Sequence, residues 1–87
     1  MRVYQNDIYN AVAAKGNWND RNTIVRTMNN VTEVFYYNSK IAVVDHSKKC
    51  ATFDYCGYHT ASTTSRINAV KKFCEDKGYH YSIKWYL

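Results

Sequence analysis

The spacing of hydrophobic positions divides this chain into helical and extended stretches. Near the amino terminus the spacing is helical and predicts a short helix over residues 6–15. Asn6 or Asp7 is its expected cap, and Gly16 stands where a left-handed stop residue belongs. The predicted apolar face comprises Tyr4, Ile8, Ala11 and Val12.

Short segments rich in β-branched residues follow, and compact polar turns separate them. The predicted strands are residues 23–28, 31–37, 41–44 and 50–55, with turns at Asn29-Asn30, Asn38-Ser39 and Ser47-Lys48. At Asn29-Asn30 the alternative is a strand that continues through a bulge. Consecutive strands joined by such short turns are expected to pair as an antiparallel meander. Residues 17–22 are expected to form a polar turn, from which Trp18 folds back onto the core.

The carboxyl-terminal third predicts a second helix and a last strand. The helix is expected to start at Ser62 or Thr63, continue to Lys77 and stop at Gly78. Its apolar stripe contains Ile67, Val70, Phe73 and Cys74. Residues 79–87 alternate between apolar and polar side chains and should dock as a strand in the same sheet. The expected fold is α+β in the order α-β-β-β-β-α-β, with an antiparallel sheet of four to five strands, a short N-terminal helix and one longer helix packed on the sheet.

The length and the net charge limit the number of domains and the kinds of partner that this chain can have. Eighty-seven residues make a single domain over residues 1–87. Twelve Lys and Arg against seven Asp and Glu give a formal charge of +5, which favours polyanionic partners. No lysine- or arginine-rich tract concentrates that charge, so the alternative is a basic balance that merely keeps a small protein soluble.

The cysteines indicate a reducing compartment. Cys50, Cys56 and Cys74 are odd in number and lack paired spacing, so we expect free thiols without metal. The first residues lack the apolar core of a signal peptide, and no stretch approaches the roughly 20 apolar residues of a membrane span. We therefore expect a protein of the reducing cytoplasm that has no cofactor and does not contact a membrane.

Few residues are spaced for catalysis. Cys56 and His59 have the separation of a zinc-ligand pair or of a nucleophile and its base, but nothing extends them into a recognised pattern. Asp45 and His46 are adjacent in a predicted strand and should point to opposite faces. Buried thiols and surface imidazoles explain these residues better than an active site does, so we expect no enzyme.

The segment before the second helix is the most informative part of the chain. Hydroxyl side chains crowd the predicted helix start: Thr60, Ser62, Thr63, Thr64 and Ser65. An anion could bind there with help from Arg66 or Lys40, although simple capping by one hydroxyl is the alternative. Arg66 lies at the edge of the apolar stripe, an unusual place for an arginine. Exposed tyrosines such as Tyr58 could stack on bases or anchor a protein interface.

The same segment carries a family resemblance. The residues concerned are Lys40-Ile41-Ala42-Val43-Val44-Asp45, then Gly57-Tyr58-His59-Thr60, then Thr63-Thr64-Ser65-Arg66-Ile67-Asn68-Ala69-Val70. This pattern resembles small bacteriophage proteins that carry Ile-Ala…Gly-aromatic-x-Thr…Thr-x-Ser-Arg-Leu-Asn across a hairpin and a helix. The match covers about residues 40–74, and Ile67 replaces the usual leucine. The resemblance implies a phage or mobile-element origin and supplies no catalytic residues.

These observations lead to one functional hypothesis and one alternative. The hypothesis is a non-enzymatic phage accessory protein that binds and inhibits a host defence complex, of the CRISPR type for example, or a nucleic-acid-handling complex. The alternative is a direct nucleic-acid-binding protein with a basic and aromatic surface.

The expected binding surface surrounds the start of the second helix. Arg66 and Tyr58 form its centre, and Thr60, Thr63, Thr64 and Lys40 accompany them. The Lys84 and Tyr86 face of the last strand is the second choice. The competing structural hypothesis for Arg66 has it paired with an acidic residue such as Asp54.

Overall fold

A computed structural model describes residues 3–84 of the protein, which form two helices on one face of a six-stranded sheet. Along the chain these elements are α1 (Val3–Ala13), β1 (Trp18–Asp20), β2 (Thr23–Met28), β3 (Val31–Tyr36), β4 (Ser39–Asp45), β5 (Cys50–Asp54), α2 (Ala61–Lys77) and β6 (His80–Lys84). The α+β class is therefore confirmed. Within the described range neither helix is long and apolar enough to cross a membrane.

The sheet follows the chain order from β1 to β6, and its first five strands form the expected antiparallel meander. Two parts of the prediction were wrong. The sheet has six strands because residues 18–20, expected to be a turn, pair with β2. The last strand pairs with β5 in parallel, since α2 returns the chain to the end of the sheet where β5 began.

Three hairpin turns of two residues each join the first four strands. Their central residues, Arg21-Asn22, Asn29-Asn30 and Tyr37-Asn38, all have positive φ, as type I′ turns require. The Asn29-Asn30 turn is confirmed. The third turn lies one residue earlier than predicted, because Tyr36 pairs with Ser39 and leaves Tyr37 in the turn.

The helix ends differ slightly from the predictions. Helix α1 begins at Val3, not near Asn6, and the left-handed residue after it is Lys15 (φ 53°) instead of Gly16. Helix α2 starts at Ala61 with Thr60 as its cap, and the predicted stop at Gly78 is confirmed by a φ of 72°.

The core lies between the helices and the sheet. Its fully buried large side chains include Ile8, Val12, Val25, Val34, Ile41, Val44, Phe53, Ile67 and Val70. Trp18 packs against this core, as predicted. The opposite face of the sheet has no covering element among the described residues, and there Glu33 pairs with Lys40 at 2.8 Å and with Arg26 at 3.5 Å. The two faces of the sheet are thus chemically distinct.

Candidate functional site

A tyrosine-lined cavity of about 470 Å³ lies at one end of the sheet. The start of α2, the β3–β4 turn and the segment after β5 enclose it. Its aromatic walls are Tyr36, Tyr37, Tyr55 and Tyr58, and the rest of its lining is Ser39, Ile41, Thr60, Ser62 and Thr63. The lining combines aromatic carbon with hydroxyl groups and carries no charged side chain, which is the composition of a site for an uncharged group.

A β-bulge places the β4 side of the cavity. The register between β3 and β4 shifts next to Val34, so one extra residue fits into β4. As a result Ile41 and Ala42 are consecutive and both buried. Ile41 reaches the cavity, whereas its neighbour Lys40 pairs with Glu33 on the open face of the sheet.

Arg66 supports the cavity from behind. Its guanidinium lies 4.0 Å from the ring centroid of Tyr36 and 4.8 Å from that of Tyr4. Tyr36 therefore contacts a cation, and the ring of Tyr37 lies 4.7 Å from it at an angle of 59°. The arginine and the two tyrosines form a stack that gives the cavity a rigid wall.

The hydrogen bonds of Arg66 explain its position at the edge of the apolar stripe. The side chain is only 6% exposed, and it donates from Nε to the Thr23 hydroxyl at 2.7 Å. It also donates to the carbonyl oxygens of Ser62 at 2.9 Å and of Arg21 at 3.2 Å. Arg66 was predicted to lie at the centre of a binding surface, and the structure shows it buried, because these acceptors and two aromatic rings draw the guanidinium inward. The competing structural hypothesis paired it with an acidic residue such as Asp54, but the acceptors that hold it are a hydroxyl and two carbonyl oxygens.

The hydroxyl cluster serves several separate purposes. Thr60 accepts a hydrogen bond from the Thr63 amide at 3.2 Å and donates to the Thr63 hydroxyl at 3.1 Å, so both threonines build the helix cap. Ser65 turns toward α1, where it contacts the hydroxyl of Tyr4. Thr64 is half-buried and does not line the cavity. Thr60, Ser62 and Thr63 do line it, so the structure divides a cluster that was uniform in the sequence.

Tyr37 holds an unusual backbone position. Its φ is 49°, in the left-handed region where a bulky side chain is rare. The ring is 64% exposed, and its hydroxyl accepts a hydrogen bond from the Asn22 amide at 2.9 Å. Tyr37 lines the cavity and also an adjoining polar cleft of about 480 Å³ that contains Arg21, Asn22 and Asn38. Its ring therefore separates the two concave surfaces.

The opposite wall comes from the segment between β5 and α2. Tyr58 is 62% exposed, and its amide donates to the carbonyl of Tyr55 at 2.8 Å. The ring of Tyr55 stacks on His59 with centroids 4.5 Å apart and planes 11° from parallel. An exposed tyrosine thus lies on each side of the cavity. Tyr37 is supported by a second aromatic ring, and Tyr58 is supported by a hydrogen-bonded turn.

The remaining predicted site residues lie elsewhere. Lys40 is on the other face of the sheet, so it cannot assist a ligand at the start of α2. Lys84 ends β6 at the sheet edge, where it pairs in register with Asp54. Tyr86 lies outside the described residues. Of the eight predicted residues, the structure brings Tyr58, Thr60 and Thr63 together at the cavity.

The candidate catalytic residues occupy separate environments. Cys74 is buried in α2, and burial raises the pKa of its thiol to about 11. Burial and the nearby carboxylate of Asp54 raise the pKa of Cys56, whose thiol donates to the carbonyl of Lys40. Among the described residues no group of three or more potential metal ligands comes together. His46 and Asp45 point in different directions, as predicted, since His46 is buried and Asp45 caps the following turn.

Sequence reasoning missed Tyr37 and Tyr55 as parts of a site. A signal for Tyr37 was present, because an aromatic residue next to Asn38 occupies a turn position that normally takes Asn or Gly. No such signal exists for Tyr55, whose role depends on the path of the chain after β5.

Comparison with known proteins identifies the family. No curated protein and no solved structure matches the chain significantly. A family model described as "Kyanoviridae Gp96 protein" matches residues 1–87, which is the whole sequence given. The chain therefore belongs to the Kyanoviridae Gp96 protein family, a family of phage proteins.

Proposed function

We propose that this phage protein is a non-enzymatic accessory protein that binds and inhibits a host defence complex or a nucleic-acid-handling complex in the host cytoplasm. The tyrosine-lined cavity is its binding site. The observation that carries the proposal is the cavity itself, with an exposed tyrosine on each side and the stack of Arg66, Tyr36 and Tyr37 as its wall. Tyrosines that are rigid before binding provide contact area at a small entropic cost.

The chemistry of the cavity favours binding over catalysis. Its lining offers hydroxyl groups and aromatic rings, without the paired acid and base that proton transfer needs. The thiol of Cys56 has a raised pKa, which disfavours the thiolate that a nucleophile requires. A partner held by aromatic contacts is the simplest use of such a surface.

The alternative, direct binding of nucleic acid, would require cations beside an aromatic platform. The open face of the sheet has the ring of Phe35 within 5.1 Å of Arg26 and 6.0 Å of Lys40. Both cations also pair with Glu33, which reduces the positive potential available to a phosphate. This observation favours a protein partner at the cavity.

Affinity capture from host lysate tests the proposal. Wild-type protein should retain a defined partner complex, and Tyr58→Ala should reduce the apparent affinity about tenfold or more, as loss of a central interface tyrosine does. Met28→Ala is the matched control, because Met28 is 68% exposed and lies at the other end of the sheet. Retention of the same complex by folded Tyr58→Ala at wild-type levels would contradict the proposal. The biochemical activity of the retained host complex should fall when purified wild-type protein is added. The same complex should stay active when the Tyr58→Ala variant is added.

The salt dependence of capture distinguishes a protein partner at the cavity from direct binding of nucleic acid. Capture through an uncharged cavity should change by less than about threefold between 50 and 200 mM salt, whereas six or more phosphate contacts would cost about a thousandfold. A steep salt dependence, together with binding to purified DNA or RNA, would favour direct nucleic-acid binding instead.

A further inference from the structure

The three two-residue hairpin turns provide an internal comparison for Tyr37. The first central residue has nearly the same backbone angle in each, with φ of 53° at Arg21, 52° at Asn29 and 49° at Tyr37. Asparagine tolerates this region because its short polar side chain can bond locally, whereas a bulky side chain is an outlier. Arg21 and Tyr37 therefore both occupy a position that local backbone preference does not explain, and of the two it is Tyr37 that lines the cavity.

Burial does not explain Tyr37 either. Its ring is 64% exposed, so most of its apolar surface stays in water in the isolated chain. Residues with strained backbone cluster at functional sites, where the surrounding structure holds them in place. The ring also lies directly at the cavity, against Tyr36 and opposite the exposed Tyr58.

The lining indicates what kind of group fits. Aromatic walls attract another aromatic ring in offset or edge-to-face contact, and the hydroxyls of Ser39 and Ser62 can accept a hydrogen bond from a ring N–H. A volume of about 470 Å³ lies within the range for ligand pockets and is large enough to hold one ring system.

The surroundings indicate where that ring comes from. No charged side chain lines the cavity, Arg66 is buried behind Tyr36, and Lys40 lies on the opposite face of the sheet. A nucleotide would therefore find no cation for its phosphate inside the cavity. Next to the cavity the polar cleft presents the side-chain amides of Asn19, Asn22 and Asn38, which can bond to peptide groups. The cation in that cleft, Arg21, lies 4.0 Å from the carboxylate of Asp20, which reduces the positive charge available to a phosphate. An apolar pocket with a polar border is the usual composition of a protein interface.

We infer that the cavity takes an aromatic side chain of a protein partner, and that Tyr37 is the residue that recognises its ring. The inference rests on the proposed function and specifies its partner. Tyr36, which the Arg66 guanidinium holds in place, orients Tyr37 and does not need to move on binding.

Amide-resolved NMR titration of the full chain with N-acetyl-tryptophanamide tests the inference. We expect saturable shifts at the amides of Tyr37, Tyr58 and Ser62, with a dissociation constant on the order of millimolar for so small a probe. N-acetyl-leucinamide and thymidine are the comparison probes, and each should bind at least about tenfold more weakly, which corresponds to the loss of one good contact. Shifts spread over the surface, equal binding of the leucine probe or tighter binding of thymidine would overturn the inference.

Tyr37→Asn distinguishes recognition from structure. The change replaces a strained residue with one that the turn prefers, so the melting temperature should not fall and should rise by up to about 4–8 °C, while the affinity for the tryptophan probe should fall about tenfold or more. Arg21→Asn is the matched control, because it makes the same change at the same turn position outside the cavity and should leave probe binding unaltered. Tyr37→Phe should restore binding, since it keeps the ring. Equal losses in Tyr37→Asn and Arg21→Asn would overturn the role of Tyr37.

The two proposals can fail separately. If Tyr58→Ala abolishes capture of the host complex but the tryptophan probe does not bind, the proposed function stands and the aromatic occupant is wrong. If the probe binds at the cavity but Tyr58→Ala captures the complex normally, the ring site stands and the proposed function is wrong.

Discussion

The two ends of the sheet use similar backbone turns for different purposes. At the cavity end, the turns at Arg21-Asn22 and Tyr37-Asn38 adjoin the start of α2. At the other end, the Asn29-Asn30 turn adjoins His46 and the strand start after α2, and we call this the histidine end. The histidine end places asparagines at both left-handed positions, whereas the cavity end places a tyrosine at one of them.

The histidine end is closed by a continuous chain of hydrogen bonds. Thr27 donates its hydroxyl proton to the carbonyl of Gly16 at 3.0 Å, so Thr32 must donate to Thr27 at 2.7 Å. The Thr32 oxygen then accepts from Nε2 of His46 at 2.8 Å, and Nδ1 of His46 accepts from the hydroxyl of Tyr79 at 3.0 Å. The donor requirement at Gly16 thus places a proton on Nε2 of His46, and burial, which lowers the pKa of His46, favours the neutral ring whose Nδ1 is an acceptor.

The comparison shows how a domain of this size separates stability from binding. At the histidine end, buried polar groups satisfy one another and leave nothing for a partner. At the cavity end, one buried cation donates to two backbone carbonyls and a hydroxyl, while Tyr37 and Tyr58 at the cavity remain exposed. Exposed aromatic rings on a rigid support contribute little to folding and are available for an interface.

Arg66→Ala should have the largest effect on stability. The change removes three hydrogen bonds and the support of two aromatic rings, so we expect the free energy of unfolding to fall by about 3 kcal/mol or more. Chemical denaturation measures the effect. Asn68→Ala, on the exposed face of the same helix, should change stability by less than about 0.5 kcal/mol. A fully stable Arg66→Ala would show that the cavity end does not depend on its buried cation.

Lowering the pH should reduce the stability that the histidine end contributes to the fold. Burial lowers the pKa of His46, and the charge of Lys15 acts in the same direction, whereas Asp45 opposes it. The unfolded chain therefore takes up a proton first as the pH falls. The stability that neutral His46 contributes is present above its unfolded pKa and is lost as the pH falls toward the lower folded pKa. The slope for this one group is at most about 1.4 kcal/mol per pH unit.

His46→Gln isolates this effect from the other histidines. The difference in unfolding free energy between wild type and His46→Gln should be largest near about pH 7.5 and should narrow near about pH 5.5. His59 and His80 are present in both proteins, so their titration cancels in the difference. A constant or widening difference would contradict a buried neutral histidine.

A substitution that introduces a tyrosine at the histidine end should have the smallest effect on stability. Asn29→Tyr creates at the opposite end the backbone situation of Tyr37, and we expect it to cost about 1 kcal/mol because a bulky side chain enters the left-handed region. Thermal unfolding should record a decrease of about 4–8 °C. Asn29→Gly is the control and should cost less. If Asn29→Tyr is as stable as wild type, the strain attributed to Tyr37 is too small to indicate a function.

Local sequence signals predicted most of the elements and part of the site. The strand over residues 23–28, the Asn29-Asn30 turn and the end of α2 at Gly78 were all predicted, because each depends on neighbouring residues alone. The parallel pairing of β6 was not predicted, since alternation within a strand gives its faces but not the direction of its neighbour. Tyr58, Thr60 and Thr63 were predicted from local density of hydroxyls and aromatics.

By itself the sequence determined that this chain forms a small α+β domain with two helices and a meander. It also showed that the segment before the second helix is unusually rich in hydroxyl side chains. Only the tertiary structure decided what that segment does. A guanidinium at the edge of an apolar stripe can face water or the core, and Arg66 turned inward because acceptors from β2, the β1–β2 turn and α2 converge there. Whether a tyrosine is core, support or binding surface depends in the same way on contacts between distant parts of the chain. No local pattern encodes those contacts.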